Sequence, residues 1–256
     1  MIIDTHCHLD DIRYDEDLEA VLKRADEAGV TKHIIPGADP KTLQRAIAIA
    51  EKYDSVYFAV GVHPYDANAY DRELLEHYIT HPKCVAVGEC GLDYYRLPEE
   101  EDAIEAEKVL QKEVFIDQIA LAKAYEKPLI VHIREASSDA KRLLEVHAGS
   151  VGGVLHCFNA DATLLSLAKE HFYYGIGGVL TFKNAKKLLN VLPQIPKERL
   201  LIETDAPYLT PHPFRGKRNE PAYCTYVAEK MASLLDMPVE EIATLTTANA
   251  QRLFGV

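Results

Sequence analysis

Short apolar runs alternate with longer helical patterns along the whole chain, and this alternation constrains the fold more than any other feature. Strand-like runs that alternate with helices are typical of βαβ units and a parallel sheet. We count eight strand candidates, which are Ile2–Thr5, Lys32–Ile35, Val56–Val60, Cys84–Gly88, Leu129–His132, Gly153–His156, Tyr173–Ile176 and Leu200–Glu203.

Helical patterns occupy the intervening stretches. They are Glu16–Ala28, Thr42–Tyr53, Glu105–Tyr125, Ala136–His147, Ala160–His171 and Asn184–Leu192, with Ala222–Leu235 and Val239–Phe254 after the eighth strand. Eight strand–helix units in 256 residues match the size of a (β/α)8 TIM barrel of the α/β class. We therefore predict one domain over residues 1–256. An open doubly wound sheet is the alternative, but no Gly-x-Gly-x-x-Gly follows the first strand.

The composition argues against some classes of function. A formal net charge of −12 does not suit a protein that coats nucleic acid, so a polyanionic substrate would need metals and a few local bases. No membrane span or secretory signal is apparent, and we expect a soluble, cytoplasmic protein without membrane contact. Cysteines are odd in number and lack zinc-ribbon spacing, so buried free thiols are expected at Cys7, Cys84, Cys90, Cys157 and Cys224.

One stretch, Pro98–Glu107, is strongly acidic. Acidic side chains are favourable near the N-terminus of a helix, so we interpret this stretch as a solvated helix start. A functional acidic patch is the less favoured alternative.

Histidines and carboxylates follow the strand candidates, where a barrel of this kind places its chemistry. Side chains two apart on a strand share a face, so His6 and His8 point the same way. The same spacing relates His132 to Arg134 and Glu203 to Asp205. The metal-binding candidates are four imidazoles and two carboxylates, namely His6, His8, Glu89, His132, His156 and Asp205.

Six ligands exceed the three that an open catalytic site normally uses, but they suit two metals that share a carboxylate. Glu89 is the natural bridge, because it lies in the middle of the strand order. His6, His8 and Asp205 would complete the first metal, and His132 and His156 the second. Mixed imidazole and carboxylate ligands leave Mg, Mn and Zn open.

A single histidine in an apolar run is more often a hydrogen-bonded core residue than a ligand. That explanation fails for the six residues together, because each polar group buried without a partner would cost several kcal/mol. His63 is either a substrate-contacting base or a local turn contact. Glu203 is either support for a ligand or a substrate contact.

These residues resemble the TatD family of metal-dependent deoxyribonucleases, within the amidohydrolase-like barrels. The likeness spans essentially the whole chain, and the run after the eighth strand is its most specific part. The matching blocks are Ile3–Leu9, Gly61–Pro64, Val87–Tyr94, Pro128–Arg134, His156–Phe158, Thr181–Ala185, Leu201–Leu209, Phe214–Ala222 and Thr247–Asn249.

The resemblance implies hydrolysis of DNA phosphodiesters with two divalent ions, from a 3′ end and on single strands. It assigns His6, His8, Glu89 and Asp205 to one metal and Glu89, His132 and His156 to the other. Asp205 would be the general base that takes a proton from water, with Glu89 as the second catalytic carboxylate. Substrate contacts are expected from His63, Arg134, Glu203, Arg215, Lys217 and Arg218, with Tyr94 or Phe158 as possible base-stacking residues.

Two segments depart from the family pattern, namely Asn159–Ala160 and Arg96–Glu107, and they weaken any claim about strand preference. An amidohydrolase acting on a cyclic amide or lactone is the first alternative. Glu89 at the bridging position and the basic segment Arg215–Arg218 argue against it. A non-catalytic, metal-dependent nucleotide-binding module is the second alternative. No obligate protein partner is indicated.

Overall fold

The computed structural model describes residues 1–256 and contains eight parallel strands in sequence order. The strands are β1 (Ile2–Asp4), β2 (Val30–Ile35), β3 (Val56–Val60), β4 (Cys84–Asp93), β5 (Leu129–Arg134), β6 (Gly153–Leu155), β7 (Phe172–Ile176) and β8 (Leu200–Ile202). The first and last strands meet, since the Thr5 N–H donates to Ile202 O at 3.2 Å. The predicted (β/α)8 barrel is confirmed, and all eight strand predictions fall on observed strands.

Helices follow most strands. They are α1 (Leu18–Glu27), α2 (Leu43–Lys52), α3 (Arg72–Tyr78), α4 (Glu101–Ala124), α5 (Ser137–His147), α6 (Lys186–Val191), α7 (Cys224–Leu235) and α8 (Val239–Phe254). None of them combines the length and apolar character needed to cross a lipid bilayer. The acidic stretch does lead into a helix start, because α4 begins at Glu101.

Two helix predictions need correction. Sequence reasoning missed α3, although Asp71 is a recognisable N-cap whose side chain accepts from the Leu74 N–H at 3.1 Å. The α-helix predicted over Ala160–His171 is wrong in type, because residues Ala162–Glu170 form 3-10 turns. Its buried leucines, Leu164 and Leu167, are three apart, a spacing that brings them onto one side of a 3-10 turn.

Apolar side chains form two layers. Every strand contributes to an inner cluster, β4 with two residues and each other strand with one, and these residues are Ile3, Ile34, Ala59, Val85, Ala86, Ile130, Val154, Tyr173 and Leu201. The larger outer cluster packs the other strand faces against the helices. The cysteines are all free thiols, of which four are buried and Cys157 is half-buried.

Strand β4 extends five residues beyond its predicted end at Gly88, and this extension places part of the site. Gly88 and Gly91 have φ of 145° and 142°, which L side chains rarely adopt. A Cβ at either glycine would collide with backbone atoms of β5. The glycines therefore let β4 lie close to β5 as it carries Glu89 and Asp93 past the barrel rim.

Candidate metal centre at the carboxyl ends of the strands

The six predicted metal-binding side chains converge at the carboxyl ends of five strands. Their donor atoms form two groups that share Glu89. The first donor group consists of His6, His8, Glu89 and Asp205, and the second of Glu89, His132 and His156.

Donor atoms of the first donor group lie at nearly equal separations. His6 Nε2 is 3.3 Å from His8 Nε2, 3.4 Å from Glu89 Oε2 and 3.6 Å from Asp205 Oδ1. His8 Nε2 is 3.9 Å from Glu89 Oε2 and 3.4 Å from Asp205 Oδ1. A tetrahedrally coordinated ion with metal–ligand bonds of about 2.0–2.2 Å keeps its ligand atoms about 3.3–3.6 Å apart. The group therefore fits one divalent ion.

The second donor group is tighter. Glu89 Oε1 is 2.8 Å from His132 Nδ1 and 3.1 Å from His156 Nε2, and the two nitrogens are 3.3 Å apart. Three donors at this spacing fit a second ion and leave positions open, as catalytic sites do. Because the two oxygens of Glu89 face different groups, this carboxylate is placed to bridge two ions.

Backbone conformation fixes the end of β8. Asp205 has φ of 56°, in the left-handed region that aspartate tolerates better than most residues. Its N–H donates to His6 O at 2.9 Å, which ties the end of β8 to the end of β1. Conformations of this kind cluster at functional sites. The carboxylate of Asp205 is thus held beside the two histidines of β1.

Asp93 is a site residue that sequence reasoning missed. Its Oδ2 accepts a hydrogen bond from His132 Nε2 at 2.9 Å. In the neutral ring this bond keeps the proton on Nε2 and leaves Nδ1 free to bind an ion shared with Glu89, as carboxylates behind metal-binding histidines do. The signal was available, because Asp93 lies four residues beyond Glu89 on the same strand face.

Glu203 lies behind the second donor group. Its Oε1 accepts from the Cys157 N–H at 2.5 Å and is 3.6 Å from His156 Nδ1. The side chain is fully buried against Gly175, where any Cβ would collide with the carboxylate. Of its two predicted roles, the geometry favours support of His156 over contact with substrate.

His63 makes a turn contact and also faces the centre. Its Nδ1 accepts from the Tyr65 N–H at 3.1 Å, and its Nε2 is 3.6 Å from Glu89 Oε1. Because Nδ1 accepts, the neutral ring carries its proton on Nε2. His63 therefore offers a hydrogen-bond donor to the centre, rather than the base that the sequence suggested.

The two carboxylates of the centre stay ionised despite burial. Burial alone would raise the pKa of Glu89, but His156 and the neighbouring imidazoles hold that pKa well below its usual range. Burial also opposes ionisation of Asp205, whose pKa is lowered by its hydrogen bond with His8. Burial lowers the pKa of His63 to about 4, so this ring is neutral. Burial opposes the charged form of the ligand imidazoles, but hydrogen bonds with the carboxylates raise the pKa of His8 to about 9 and also raise the pKa values of His132 and His156. A bound metal would therefore displace protons from these rings, because metals bind ionised carboxylates and neutral imidazoles.

The basic segment after β8 is not brought into the centre. Arg215 Nη1 donates to Thr210 O at 2.9 Å, and its guanidinium lies 3.9 Å from the Phe182 ring centroid. Lys217 is exposed beside Phe214. None of the three predicted phosphate-binding residues there, Arg215, Lys217 and Arg218, lines the cavity at the centre.

Arg218 is engaged in ion pairs. Its guanidinium donates to Asp17 at 2.7 Å and to Glu220 at 3.1 Å, and it also donates to Arg13 O at 2.6 Å. The predicted role in phosphate binding is therefore replaced by a structural one, which fastens the segment after β8 to the start of α1.

Both donor groups open into a cavity of about 820 Å³. Its basic side chains are Arg134, as predicted, and three that were not predicted, Arg96, Lys186 and Lys187. Guanidinium and ammonium groups are the usual partners of phosphates. The proposed stacking residues are unsuited to that role, since Phe158 is buried against Tyr174 and the Tyr94 hydroxyl donates to Asp139.

Comparison with known proteins gives matches that extend over essentially the whole chain. The family described as TatD related DNase matches residues 3–255. A Bacillus subtilis protein named uncharacterized metal-dependent hydrolase YabD is 48% identical and covers 100% of both chains. A Shigella flexneri protein named 3'-5' ssDNA/RNA exonuclease TatD is 33% identical and covers 100% of this chain and 99% of its own. The crystal structure of YJJV, a TatD homologue from Escherichia coli, has a TM-score of 0.91 at 33% identity and covers 100% of this chain and 98% of its own.

Proposed function

The chain belongs to the TatD related DNase family of metal-dependent hydrolases, and from that premise we propose that it hydrolyses DNA phosphodiester bonds with two divalent ions. We further propose that it acts as a 3′–5′ exonuclease on single strands, in line with the name of the Shigella relative. The ions are Mg, Mn or Zn, because imidazole and carboxylate ligands together suit all three.

One observation carries the two-ion proposal. The two oxygens of Glu89 face separate groups of donors, at 3.4 Å from His6 Nε2 and at 2.8 Å from His132 Nδ1. A single ion would use one of these groups and leave the other buried without a partner, which is costly. The arrangement therefore supports a pair of ions bridged by Glu89.

Bound ions would supply positive charge to the phosphate oxygens and lower the pKa of an attacking water. Asp205 lines the cavity and stays ionised, so it can orient that water and take its proton. Asp93 and Glu203 hold the rings of His132 and His156 in place. These roles need no serine or cysteine nucleophile.

Substrate contacts come from the wall of the cavity. Arg134 is the last residue of β5, Arg96 lies beyond β4, and Lys186 and Lys187 lie at the start of α6. We propose that they bind the phosphates on either side of the bond that is cleaved. His63 Nε2 donates a hydrogen bond to a phosphate oxygen. The overall negative charge of the protein makes this local basic lining the place where a polyanion can bind.

A hydrolysis panel tests this function. The metal-reconstituted protein is offered 3′- and 5′-labelled single-stranded DNA, duplex DNA, RNA, a phosphodiester dye, a cyclic amide and a lactone. Stepwise release of nucleotides from the 3′ end of single strands is the expected result. An Asp205→Asn protein purified in parallel controls for contaminating nucleases. Turnover of the lactone without any phosphodiester would favour the amidohydrolase alternative, and binding without turnover would favour the nucleotide-binding module.

A further inference from the structure

Exposed aromatic side chains are confined to one place on the molecule. The chain has fourteen tyrosines, seven phenylalanines and no tryptophan. Only Tyr65, Tyr95 and Tyr208 are exposed, with 36%, 53% and 48% of their surface open to solvent. Tyr65 and Tyr208 line the cavity at the metal centre, and the Tyr95 ring lies against the guanidinium of Arg134, which also lines that cavity. All three rings therefore lie at the mouth of the proposed active site.

Each of these rings is paired with an arginine. Arg134 lies 3.6 Å from the Tyr95 ring centroid and Arg96 lies 5.7 Å from that of Tyr65. On Tyr208, Arg13 lies 4.4 Å from the ring centroid. An arginine over a tyrosine face is attracted by the ring and also stiffens it. Each pair thus offers a flat apolar surface beside a cation, which complement the base and the phosphate of a nucleotide.

The three rings flank the metal centre on two sides. The Tyr208 ring is 5.9 Å from the His8 ring, beside the first donor group. The Tyr65 ring is 4.9 Å from the ring of His63, whose Nε2 faces the Glu89 oxygen of the second donor group. A phosphate bound between the two donor groups would therefore have a tyrosine on either side.

We propose that Tyr208 on one side, and Tyr65 with Tyr95 on the other, are stacking platforms for the bases that flank the cleaved phosphodiester. This inference rests on the proposed function and assigns base-binding residues to it. The substrate is a single-stranded polynucleotide with a base on both sides of the cleaved bond. Every base has a flat face, so the platforms bind all four alike. Bases inside a duplex are already stacked on one another and cannot use them.

Binding to single-stranded oligonucleotides tests the platforms. The measurement uses Asp205→Asn protein with bound metal, so that turnover is too slow to consume the oligonucleotide during the measurement. Adding Tyr208→Leu or Tyr65→Leu should weaken binding roughly 5- to 150-fold for each stacked base lost. Tyr208→Phe and Tyr65→Phe should restore it, because phenylalanine keeps the flat ring. The matched control is Tyr57→Leu, which should leave binding unchanged. Tyr57 lies near the N-terminal end of β3, away from the cavity, and its ring also lies beside a cation, the Lys83 ammonium at 4.8 Å.

Abasic substitution identifies which base each ring contacts. An oligonucleotide with an abasic nucleotide on one side of the cleaved bond should bind the parent protein weakly, and Tyr208→Leu should weaken it no further. An oligonucleotide with the abasic nucleotide on the other side of the cleaved bond should also bind weakly, and Tyr65→Leu should weaken its binding no further. DNA and RNA oligonucleotides are compared, since both carry the bases that the platforms need. Fully additive losses, or unchanged affinity in both leucine variants, would overturn the inference.

Failure of the inference and failure of the proposed function have different signatures. In the first case, the parent protein hydrolyses both the phosphodiester dye and oligonucleotides. If the leucine variants then show the same ratio of kcat/KM for oligonucleotide to kcat/KM for dye as the parent protein, the proposed platforms are wrong and the proposed function stands. If the leucine variants lose oligonucleotide binding but the metal-loaded parent cleaves no phosphodiester, the platforms stand and the nuclease function is wrong.

Discussion

The first donor group of the metal centre and the segment of residues 215–218 hold their charged groups in opposite ways. In the first donor group, carboxylate oxygens and imidazole nitrogens face one another across 3.4–3.9 Å, which leaves room for an ion between them. In the segment, Arg218 contacts Asp17 directly at 2.7 Å and Glu220 at 3.1 Å. The comparison teaches that a charge in direct contact with its partner serves the fold, whereas donors arranged around a gap are available to an ion.

Removal of metal should give the largest effect and should separate the two regions. Chelation is expected to reduce DNA hydrolysis to background, and Mg, Mn or Zn should restore it, because the donor groups are the only chemistry proposed for the reaction. The ion pairs of Arg218 need no metal, so the segment should stay folded. Hydrolysis is followed with labelled DNA. Undiminished activity in a verified metal-free sample would contradict the account.

Asp205→Asn comes next in size. The amide keeps the shape of the side chain but cannot take a proton from water, and it is a poorer ligand. Turnover should therefore fall by at least about 10²–10⁴-fold, with substrate binding largely retained. Asp236→Asn is a matched control, because Asp236 is also in the left-handed region, with φ of 52°, but is exposed at the end of α7. Near-full activity in Asp205→Asn would require another base.

Asp93→Asn tests whether Asp93, which is not a proposed metal ligand, strengthens metal binding through its hydrogen bond with His132. Loss of the carboxylate behind His132 should lower metal affinity or activity about 10–100-fold. Asp117→Asn is the control, since Asp117 accepts hydrogen bonds from Tyr70 and Arg72 on the outside of the barrel. Isothermal titration with Zn provides the measurement. Equal affinities in both variants would make Asp93 merely structural.

The smallest effects are expected from substitutions of two arginines, Arg134 at the metal centre and Arg218 in the segment after β8. Arg134→Ala should reduce the salt dependence of single-strand binding by roughly 0.7 in slope, the value for one lost phosphate contact. Arg218→Ala should leave that slope unchanged. It should instead destabilise the fold by about 1 kcal/mol, because Asp17 and Glu220 lose their partner, which lowers Tm by about 2–4 °C in a chain of this size. The reverse pattern would mean that the basic segment after β8 binds substrate.

Strand periodicity explains why so much of the fold and the donor set could be predicted. Side chains on a strand alternate between faces, and the carboxyl ends of barrel strands meet at one rim, so His6, His8 and His132 had to lie close together. The same logic would have found Asp93 if β4 had been extended. It was not, because Gly88 and Gly91 look like the end of a strand, whereas here they permit close approach to β5.

Loop residues could not be placed in the same way. No period fixes the direction of a loop side chain, so the sequence could not show that Arg218 would find Asp17, about two hundred residues away along the chain. For the same reason, the sequence could not show that Arg96, Lys186 and Lys187 line the cavity. Tyr208 escaped notice for a related reason, because exposure depends on how the loop after β8 folds back over the rim.

Counting bound metal tests the central claim most directly. Zn bound per chain is measured by mass spectrometry of the parent protein and of Glu89→Gln, after equal loading and removal of free metal. If Glu89 bridges two ions, the parent binds two per chain and the variant loses affinity for both, so its content falls below one. A variant that retains two ions, or a fully active parent that binds only one, would contradict the account.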